Sequence, residues 1–335
     1  MADPNLSELT TTTLQNRQES LRDAVTNNNI LLSSMKKNGG FSTESGGRTL
    51  VEEFAYAENG TFTRYSGGQV LDTSFNYTMS AAEFDWKQFA IAVVVNGLEE
   101  RQNSGPEGLI KLLSSRIQIA EYTLENKYNS DMLSDGTEDG GKQIGGLKLI
   151  VAKTPTNTVG GIDRSVSGNA FWKNFSFKTD TDTIGGAVPG TITSSNIKPV
   201  YNYTINKLTR GSDLPKMVLA GQTHYEALQS AMQAIQRVTN ASDDTIGRFP
   251  HLMYGQGIPV YMGGGVSFGG ESLVSDDASY FLNTRYLKMR VHRDANMEPL
   301  PDVQSINQDA KVRLIIHMAN MTCSVAKLQG VVYDT

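Results

Sequence analysis

Residues 136–142, which begin with Gly136 and end with Lys142, have the glycine and lysine spacing of a phosphate-binding loop. Such a loop needs G-x-x-x-x-G-K followed by Ser or Thr, because that hydroxyl holds the magnesium ion. Position 143 is Gln, and the segment follows a predicted helix, whereas a phosphate loop follows a strand and opens a helix. A nucleotide-binding enzyme that uses this segment is therefore retained only as an alternative.

The remaining residue types that could do chemistry are scattered along the chain. The histidines form no H-x-H or H-x-x-x-H pair of the kind that binds metal. The single cysteine, Cys323, rules out an intramolecular disulfide and a multi-cysteine metal site. We therefore expect no catalytic residue, no metal and no cofactor. The four histidines are His224, His251, His292 and His317.

Adjacent acidic residues occur in several places that could be read as catalytic carboxylate pairs. Neighbouring residues of an extended chain point to opposite faces, so a dyad that shares one proton is disfavoured. We interpret these side chains as interface or solvated charges. Such pairs include Glu52 with Glu53, Glu99 with Glu100, and Asp276 with Asp277.

Composition describes a chain with a large core and an acidic balance. The 335 residues are 39% hydrophobic and 19% charged, which is enough for more than one folding unit. A net charge of -5 argues against a dedicated surface for neutralising phosphates, so nucleic acid is not expected as a tightly bound ligand. The N-terminus lacks a signal pattern, and no stretch approaches the roughly 20 apolar residues that cross a bilayer. We expect a cytosolic protein without membrane contact.

A long helix is predicted at 104–134. Ser104 can cap its first turn, and Pro106 stands where a missing amide donor costs nothing. Gly136 should end the helix, and the stretch from Glu107 to Ser134 would be roughly 40 Å long at about 1.5 Å per residue. Apolar side chains recur at three- and four-residue steps and should face a core. They are Leu109, Leu113, Ile117, Ala120, Leu124 and Tyr128.

The elements before this helix read as strands. The pair Asn59–Gly60 lies between alternating runs at 48–57 and 61–65, which predicts a tight β-hairpin. A two-stranded ribbon is only marginally stable alone in water, so it must lie on its own body or on another copy. The sequence leaves both possibilities open. The run at 83–95 predicts a strand that enters a buried sheet, with Trp86 at the transition.

The elements after the long helix indicate a second lobe. Residues 147–152 predict a short buried strand, and a mixed α/β pattern follows. Its helices are predicted at 197–208 and 224–238, and its strands at 217–221 and 259–263. The tail, 276–335, is predicted to return strands to the first lobe.

Several of these segments resemble the major capsid proteins of tailed bacteriophages, which have the HK97-type fold. The resemblance lies in GGKQIGGL at 140–147, TVGGIDRS at 158–165, FWKNF at 171–175, and the strand-rich stretches 280–301 and 307–332. It implies an α+β fold with an N-terminal arm and an extended β-hairpin loop. It also implies a spine helix with a peripheral sheet, and a mixed α/β axial domain. The implied bounds are 1–47 for the arm, 48–82 for the extended loop, 83–144 and 276–335 for the peripheral domain, and 145–275 for the axial domain.

The resemblance implies a structural protein, not an enzyme. Copies would assemble as pentamers and hexamers into an icosahedral head around double-stranded DNA, formed in the bacterial cytoplasm and retained in the virion. A portal and a separate scaffold would be partners, while assembly without a scaffold is the alternative, and the resemblance leaves open whether a decoration protein takes part. No lysine lies between Lys37 and Lys87, so the extended loop cannot supply a lysine for a covalent cross-link. An encapsulin-like compartment of the same fold is the alternative shell.

The residues expected to contact neighbouring copies combine the apolar and charged side chains of the hairpin with charges near the long helix. About half of the charges should be ordinary solvated residues. The candidates are Glu52, Glu53, Phe54, Tyr56, Phe62, Arg64, Tyr65, Trp86, Arg101, Arg116 and Glu121.

Overall fold

The computed structural model describes residues 29–98, 106–233, 251–255, 257–263, 274–301, 303–304 and 310–334. The chain is α+β, with two main sheets and two small two-stranded ones. The helices are α1 (Ile30–Lys37), α2 (Pro106–Leu133), α3 (Leu147–Ile150), α4 (Ile197–Leu208) and α5 (Gln222–Gln233), with an irregular helical turn at Glu138–Gly141 and 3₁₀ turns at Ser167–Trp172 and Ala326–Leu328. The strands are β1 (Phe41–Glu44), β2 (Thr49–Ala55), β3 (Met79–Asp85), β4 (Lys87–Asn96), β5 (Thr158–Val159), β6 (Ile162–Asp163), β7 (Phe175–Lys178), β8 (Met217–Ala220), β9 (His251–Tyr254), β10 (Ile258–Met262), β11 (Ala278–Leu282), β12 (Leu287–Pro299), β13 (Val303–Gln304), β14 (Ala310–Cys323) and β15 (Gly330–Tyr333).

The first sheet contains β1, β12, β14, β13 and β4. Its long central pair, β12 and β14, is antiparallel, and β4 runs antiparallel along the opposite side of β14. β1 pairs in parallel with β12, so residues 41–44 of the predicted arm belong to this sheet. Only one face of β4 is covered here, because Val93 and Val95 are buried whereas Val94, which points to the other face, is exposed. The predicted strand at 83–95 is therefore not continuously buried.

Helix α2 confirms the predicted long helix from Pro106 onward. Its 28 residues span about 42 Å, and the side chains of Ile117, Ala120, Leu124 and Tyr128 are buried against the core. The chain then turns at Gly136, whose φ of +75° suits a residue without a side chain. A Cβ there would also lie 3.2 Å from the Cα atom of Gly145.

The predicted strand at 147–152 is wrong, because Leu147–Ile150 forms the short helix α3. Its first backbone amides face the C-terminal end of α2, where carbonyl groups need donors. The amide of Lys148 donates to the carbonyl of Ser134 at 3.1 Å. Gly146 allows this approach, since a Cβ at that position would lie 2.4 Å from two carbonyl oxygens of the α2 terminus.

The second sheet has the order β7, β15, β11, β8, β10, β9, with α4 and α5 packed beside it. The predicted helix at 197–208 and the strands at 217–221 and 259–263 are confirmed. The predicted helix at 224–238 is confirmed as far as Gln233, and its remainder lies outside the described residues. Tyr201 of α4 meets Phe281 of β11 edge to face, with ring centroids 4.9 Å apart.

The tail divides between the two sheets, which differs from the predicted return to the first lobe. β12 and β14 join the first sheet, whereas β11 and β15 pair in the second. The burial patterns explain the division. All five residues of Ala278–Leu282 are buried, as a central strand covered on both faces requires, whereas the first half of β12 alternates between buried and half-buried residues.

The ribbon, defined here as β2 and β3, is an antiparallel pair in which Leu50 lies opposite Phe84 and Phe54 opposite Ser80. The tight hairpin predicted at Asn59–Gly60 is therefore wrong. These two residues lie instead in the ribbon tip, defined here as residues 56–78. A second correction concerns Trp86, which breaks the predicted strand at 83–95 into β3 and β4.

Candidate functional site

A polar anchor holds the inner face of the ribbon on the first sheet. Glu52 is only 3% exposed, and its carboxylate accepts hydrogen bonds from Lys288 Nζ at 3.0 Å, Arg290 Nε at 2.7 Å and Thr322 Oγ1 at 2.9 Å. Arg290 also binds Glu44 of β1. Burial alone would raise the pKa of Glu52, but these donors outweigh it and hold the pKa below its ordinary value. The anchor therefore joins four strands through an ionised carboxylate.

An aromatic anchor lies one step further along the same face. The ring of Phe54 stacks on Trp172, with centroids 4.6 Å apart and planes inclined by 19°. The ring of Phe171 also contacts Phe54, with the two centroids 5.7 Å apart. Trp172 is fixed in turn, because its Nε1 donates to the carbonyl of Val159 at 2.9 Å. Buried stacked rings of this kind add to the stabilisation that area burial gives.

A backbone contact completes the attachment of the ribbon. The amide of Glu83 in β3 donates to the carbonyl of Gly160 at 3.0 Å. Gly160 has a φ of +59°, and a Cβ at this position would lie 2.7 Å from Ala82 Cβ and 3.1 Å from the Phe84 ring. The glycine is thus required both by its conformation and by the close approach of the ribbon. The motifs at 158–165 and 171–175 together clamp the ribbon base.

The ribbon tip, in contrast, presents apolar side chains to solvent. Phe62, Tyr65, Phe75 and Tyr77 have 65–81% of their surface exposed, and Val70 is almost fully exposed. Phe75 and Tyr77 meet edge to face at 5.0 Å. Exposed apolar residues clustered in one segment are typical of a surface that binds another macromolecule.

The predicted interface residues divide between the anchored base and the exposed tip. Glu52 and Phe54 bind the ribbon to its own body, which is one of the two possibilities that the sequence leaves open. Tyr56, Phe62, Arg64 and Tyr65 lie in the tip, and Glu53 is exposed on the outer face of β2. Arg64 lies over the Phe62 ring, with its guanidinium carbon 5.4 Å from the centroid.

The four other candidates lie away from the tip. Trp86 is half-buried at the root of the ribbon, and its Nε1 donates to the carbonyl of Gly47 at 3.0 Å. Arg116 donates to the backbone carbonyl of Val94. Glu121 is half-buried on α2, and Arg101 lies outside the described residues.

Residues 136–142 do not form a phosphate-binding loop. They follow α2, and the side-chain Nε2 of Gln143 donates to the Asp131 carboxylate at 2.7 Å instead of facing a ligand. Burial raises the pKa of Asp131, and the charge of Glu138 adds to the shift. Acidic groups at this turn repel phosphate. The ammonium of Lys87 binds the carbonyl of Gly141, which closes the turn on the first sheet.

Sequence reasoning missed one group of residues that has the composition of a hydrolytic triad. His224 Nδ1 lies 2.8 Å from Ser279 Oγ, and its Nε2 lies 3.4 Å from Asp334 Oδ1. All three side chains are buried, so Ser279 is shielded from any substrate. Burial would raise the pKa of Asp334, but donors that include His224 and Thr179 hold it below its ordinary value. The three residues are far apart in sequence, so no local motif signals them.

Within the described ranges, no group of three or more His, Cys, Asp or Glu side chains is placed to hold a metal ion. Burial raises the pKa of the Cys323 thiol to about 12, so this cysteine stays protonated at neutral pH. None of the helices in the same ranges has the length and hydropathy needed to cross a bilayer.

No protein-family model and no curated protein matches the sequence. Solved structures do match over nearly the whole chain. The capsid of cyanophage A-1(L) has a TM-score of 0.62 at 16% identity and covers 92% of this chain and 94% of its own. The capsid of an empty GTA particle has a TM-score of 0.52 at 10% identity, covering 90% and 89%. The capsid of Myoviridae phage XM1 has a TM-score of 0.50 at 12% identity, covering 89% and 91%.

The chain therefore has the HK97-type fold found in phage capsids. Each match covers most of this chain and most of the solved chain. The likeness therefore concerns the whole architecture and not one lobe.

Proposed function

We propose that this chain is the major capsid protein of a tailed bacteriophage. Its copies would assemble as pentamers and hexamers into an icosahedral head that encloses double-stranded DNA. The observation that carries the proposal is the exposed apolar ribbon tip on a fold shared end to end with phage capsids. A closed shell offers the tip a neighbouring copy to bind.

The anchored base explains how the tip would act in a shell. Glu52 and Phe54 fix the ribbon to its own subunit, so a tip that binds a neighbour connects two rigid bodies. Each apolar contact contributes about 25 cal/mol per Å² removed from water, a modest amount that becomes large when many copies are joined. Gly68, with a φ of +81° and open space around it, allows the tip to follow different angles between neighbours.

The parts of the shell subunit would divide as follows. The ribbon and its tip, 49–85, are the extended loop that overlies an adjacent copy. The first sheet and α2 form the peripheral domain with its spine helix, and the second sheet with α4 and α5 forms the axial domain near a symmetry axis. Residues 1–47 form the arm, which ends in β1.

The partners follow from the same proposal. A separate scaffold, a portal and a decoration protein would act with the shell, which forms in the host cytoplasm and remains in the virion. The net charge of -5 fits a lining that meets packaged DNA without sequence-specific binding.

Electron microscopy of the expressed chain, alone and with the products of neighbouring genes, tests this proposal. We expect shells, capsomers or tubes. Uniform monomers that bind ATP would instead support the nucleotide-binding alternative, and closed shells filled with protein cargo would support a compartment.

A matched pair of variants locates the assembly surface. Changing Phe62, Phe75 and Tyr77 to serine removes apolar surface from the tip, whereas changing Thr63 and Ser74 to alanine alters polar residues of the same segment. We expect both proteins to fold with the wild-type melting temperature, but only the second to form shells. Normal assembly of the first variant would contradict the role given to the tip.

A further inference from the structure

The pair Asn59–Gly60 closes no hairpin, yet the ribbon tip holds it in a defined way. Asn59 is exposed, and its side-chain oxygen Oδ1 accepts hydrogen bonds from Thr61 N at 3.1 Å and Thr61 Oγ1 at 2.9 Å. Asn76 Nδ2, from the returning limb of the tip, approaches the same oxygen at 3.4 Å. Three donors thus converge on the side-chain oxygen of Asn59, the residue that directly precedes Gly60.

We propose that Asn59 is a self-modification site that converts spontaneously to aspartate and isoaspartate. The backbone nitrogen of Gly60 attacks Asn59 Cγ and forms a C–N bond, which closes a five-membered succinimide ring. The Cγ–Nδ2 bond then breaks, and the side-chain nitrogen takes up the proton from Gly60 N and one from solvent as it leaves as ammonium. Water opens the ring at either carbonyl and gives the two acids.

The contacts around Asn59 favour this reaction. Negative charge develops on Oδ1 as the nitrogen attacks, and donors already directed at that oxygen stabilise the charge in the manner of an oxyanion hole. Gly60 has no Cβ to obstruct the approach of its own nitrogen to Asn59 Cγ. Solvent reaches the site, so water is present for the final hydrolysis.

The chain contains two further Asn-Gly pairs that serve as internal controls, since all three asparagines precede glycine. Asn38 uses its amide nitrogen to bind Ser34 O at 2.9 Å and Thr284 Oγ1 at 2.8 Å, and Gly39 N donates to Lys36 O. The leaving nitrogen, Asn38 Nδ2, and the attacking nitrogen, Gly39 N, are therefore both held by hydrogen bonds.

Asn96 is the second control. It is the last residue of β4, where it lies opposite Ala310 in the ladder with β14. Its Oδ1 accepts one hydrogen bond, from Leu98 N at 3.2 Å. Reaction at either control requires local opening of a helix end or of a strand, whereas the tip requires neither.

The modification would change the ribbon tip in two respects. A neutral side chain becomes an anion among exposed aromatic residues, and isoaspartate adds one methylene to the backbone. If the tip is covered by a neighbouring copy, which rests on the proposed function, the reaction should be slower in assembled particles than in unassembled subunits.

Peptide mapping by mass spectrometry, with isoaspartate detection, tests the proposal on the full chain aged in mildly alkaline buffer. We expect Asn59 to deamidate about tenfold faster than Asn38 and Asn96 in the same sample. Equal or slower reaction at Asn59 would overturn the proposal. A product that contains aspartate but no isoaspartate would also overturn it, because the succinimide opens in both directions.

Two variants test the role of the converging donors. Thr61→Val and Asn76→Ala should each slow the reaction at Asn59 about threefold while leaving the rate at Asn96 unchanged, because each removes a donor from the reacting oxygen. Unchanged rates at Asn59 would contradict the activation argument. Equal rates in particles and subunits would instead contradict the covering of the tip and leave the modification itself intact.

Discussion

Replacing Glu52 by glutamine removes the charge of the polar anchor while keeping its shape. Removing one member of a buried ion pair costs about 3–5 kcal/mol. We expect less here, about 2 kcal/mol, because the Lys288 side chain is 32% exposed and Arg290 keeps Glu44 as a partner. With an unfolding entropy of about 2.1 cal/mol/K per residue, a chain of 335 residues should lose about 3 °C in melting temperature.

The effect of this substitution should depend on pH. The folded state holds the pKa of Glu52 below its ordinary value of 4.5, so the ionised carboxylate stabilises the fold above that value. The contribution is lost as the pH falls from the ordinary pKa through the lowered one. The difference in the free energy of unfolding between wild type and Glu52→Gln should therefore be largest at neutral pH and should become smaller below about pH 4.5.

Thermal unfolding and hydrogen exchange of β2 provide the assay, and Glu53→Gln is the matched control. Glu53 is the next residue of the same strand, but it lies on the outer face and is exposed, so its substitution should leave the melting temperature unchanged. Glu52→Gln should also speed amide exchange in the ribbon. If both variants have the melting temperature of wild type at neutral pH, Glu52 does not stabilise the fold as an anchor.

Three further predictions concern the packing that surrounds the ribbon and the second sheet, and all are measured by chemical denaturation. Phe54→Ala should cost about 3 kcal/mol because it empties the stack on the buried tryptophan, whereas Val51→Ala, at an exposed position of the same strand, should cost less than about 0.5 kcal/mol. Gly160→Ala should cost about 2 kcal/mol more than Gly161→Ala, since both glycines have positive φ but only the first faces the ribbon closely. Asp334→Asn should cost about 2 kcal/mol at neutral pH, a difference that narrows in acid because the folded state lowers the pKa of this carboxyl.

Helix α2 and several elements of the second lobe, though not the helix α3, could be predicted because their signals are local. The buried positions Ile117, Ala120 and Leu124 follow helical spacing, and Gly136 lies where the chain must turn. The strands Met217–Ala220 and Ile258–Met262 are short apolar runs bounded by turns. Such patterns need no knowledge of distant residues.

The pairing of the ribbon could not be predicted, because distant contacts decide it. The local signal at Asn59–Gly60 favours a tight hairpin, but strands beside that turn would have no core beneath them. Pairing β2 with β3 instead places Phe54 on Trp172 and Ala82 on Gly160. Tertiary packing thus overrides a strong turn signal.

The sequence carries a local signal for part of the candidate site, and contact of its residues with a neighbouring copy stays a prediction. The tip residues Phe62 and Tyr65 were predicted from their apolar character, and they are exposed. Glu52 was predicted as an interface charge, but its partner Lys288 lies 236 residues away in the same chain. A charge on a strand does not reveal which distant strand will supply its counter-ion.

The place of β15 in the second sheet has a consequence for synthesis. This strand lies between β7 and β11, although it is made long after both. A nascent chain still on the ribosome before Gly330 has an open slot in the middle of that sheet, with unpaired backbone groups on either side. Chains that end before Gly330 should therefore leave these backbone groups unpaired and be degraded as unfolded proteins.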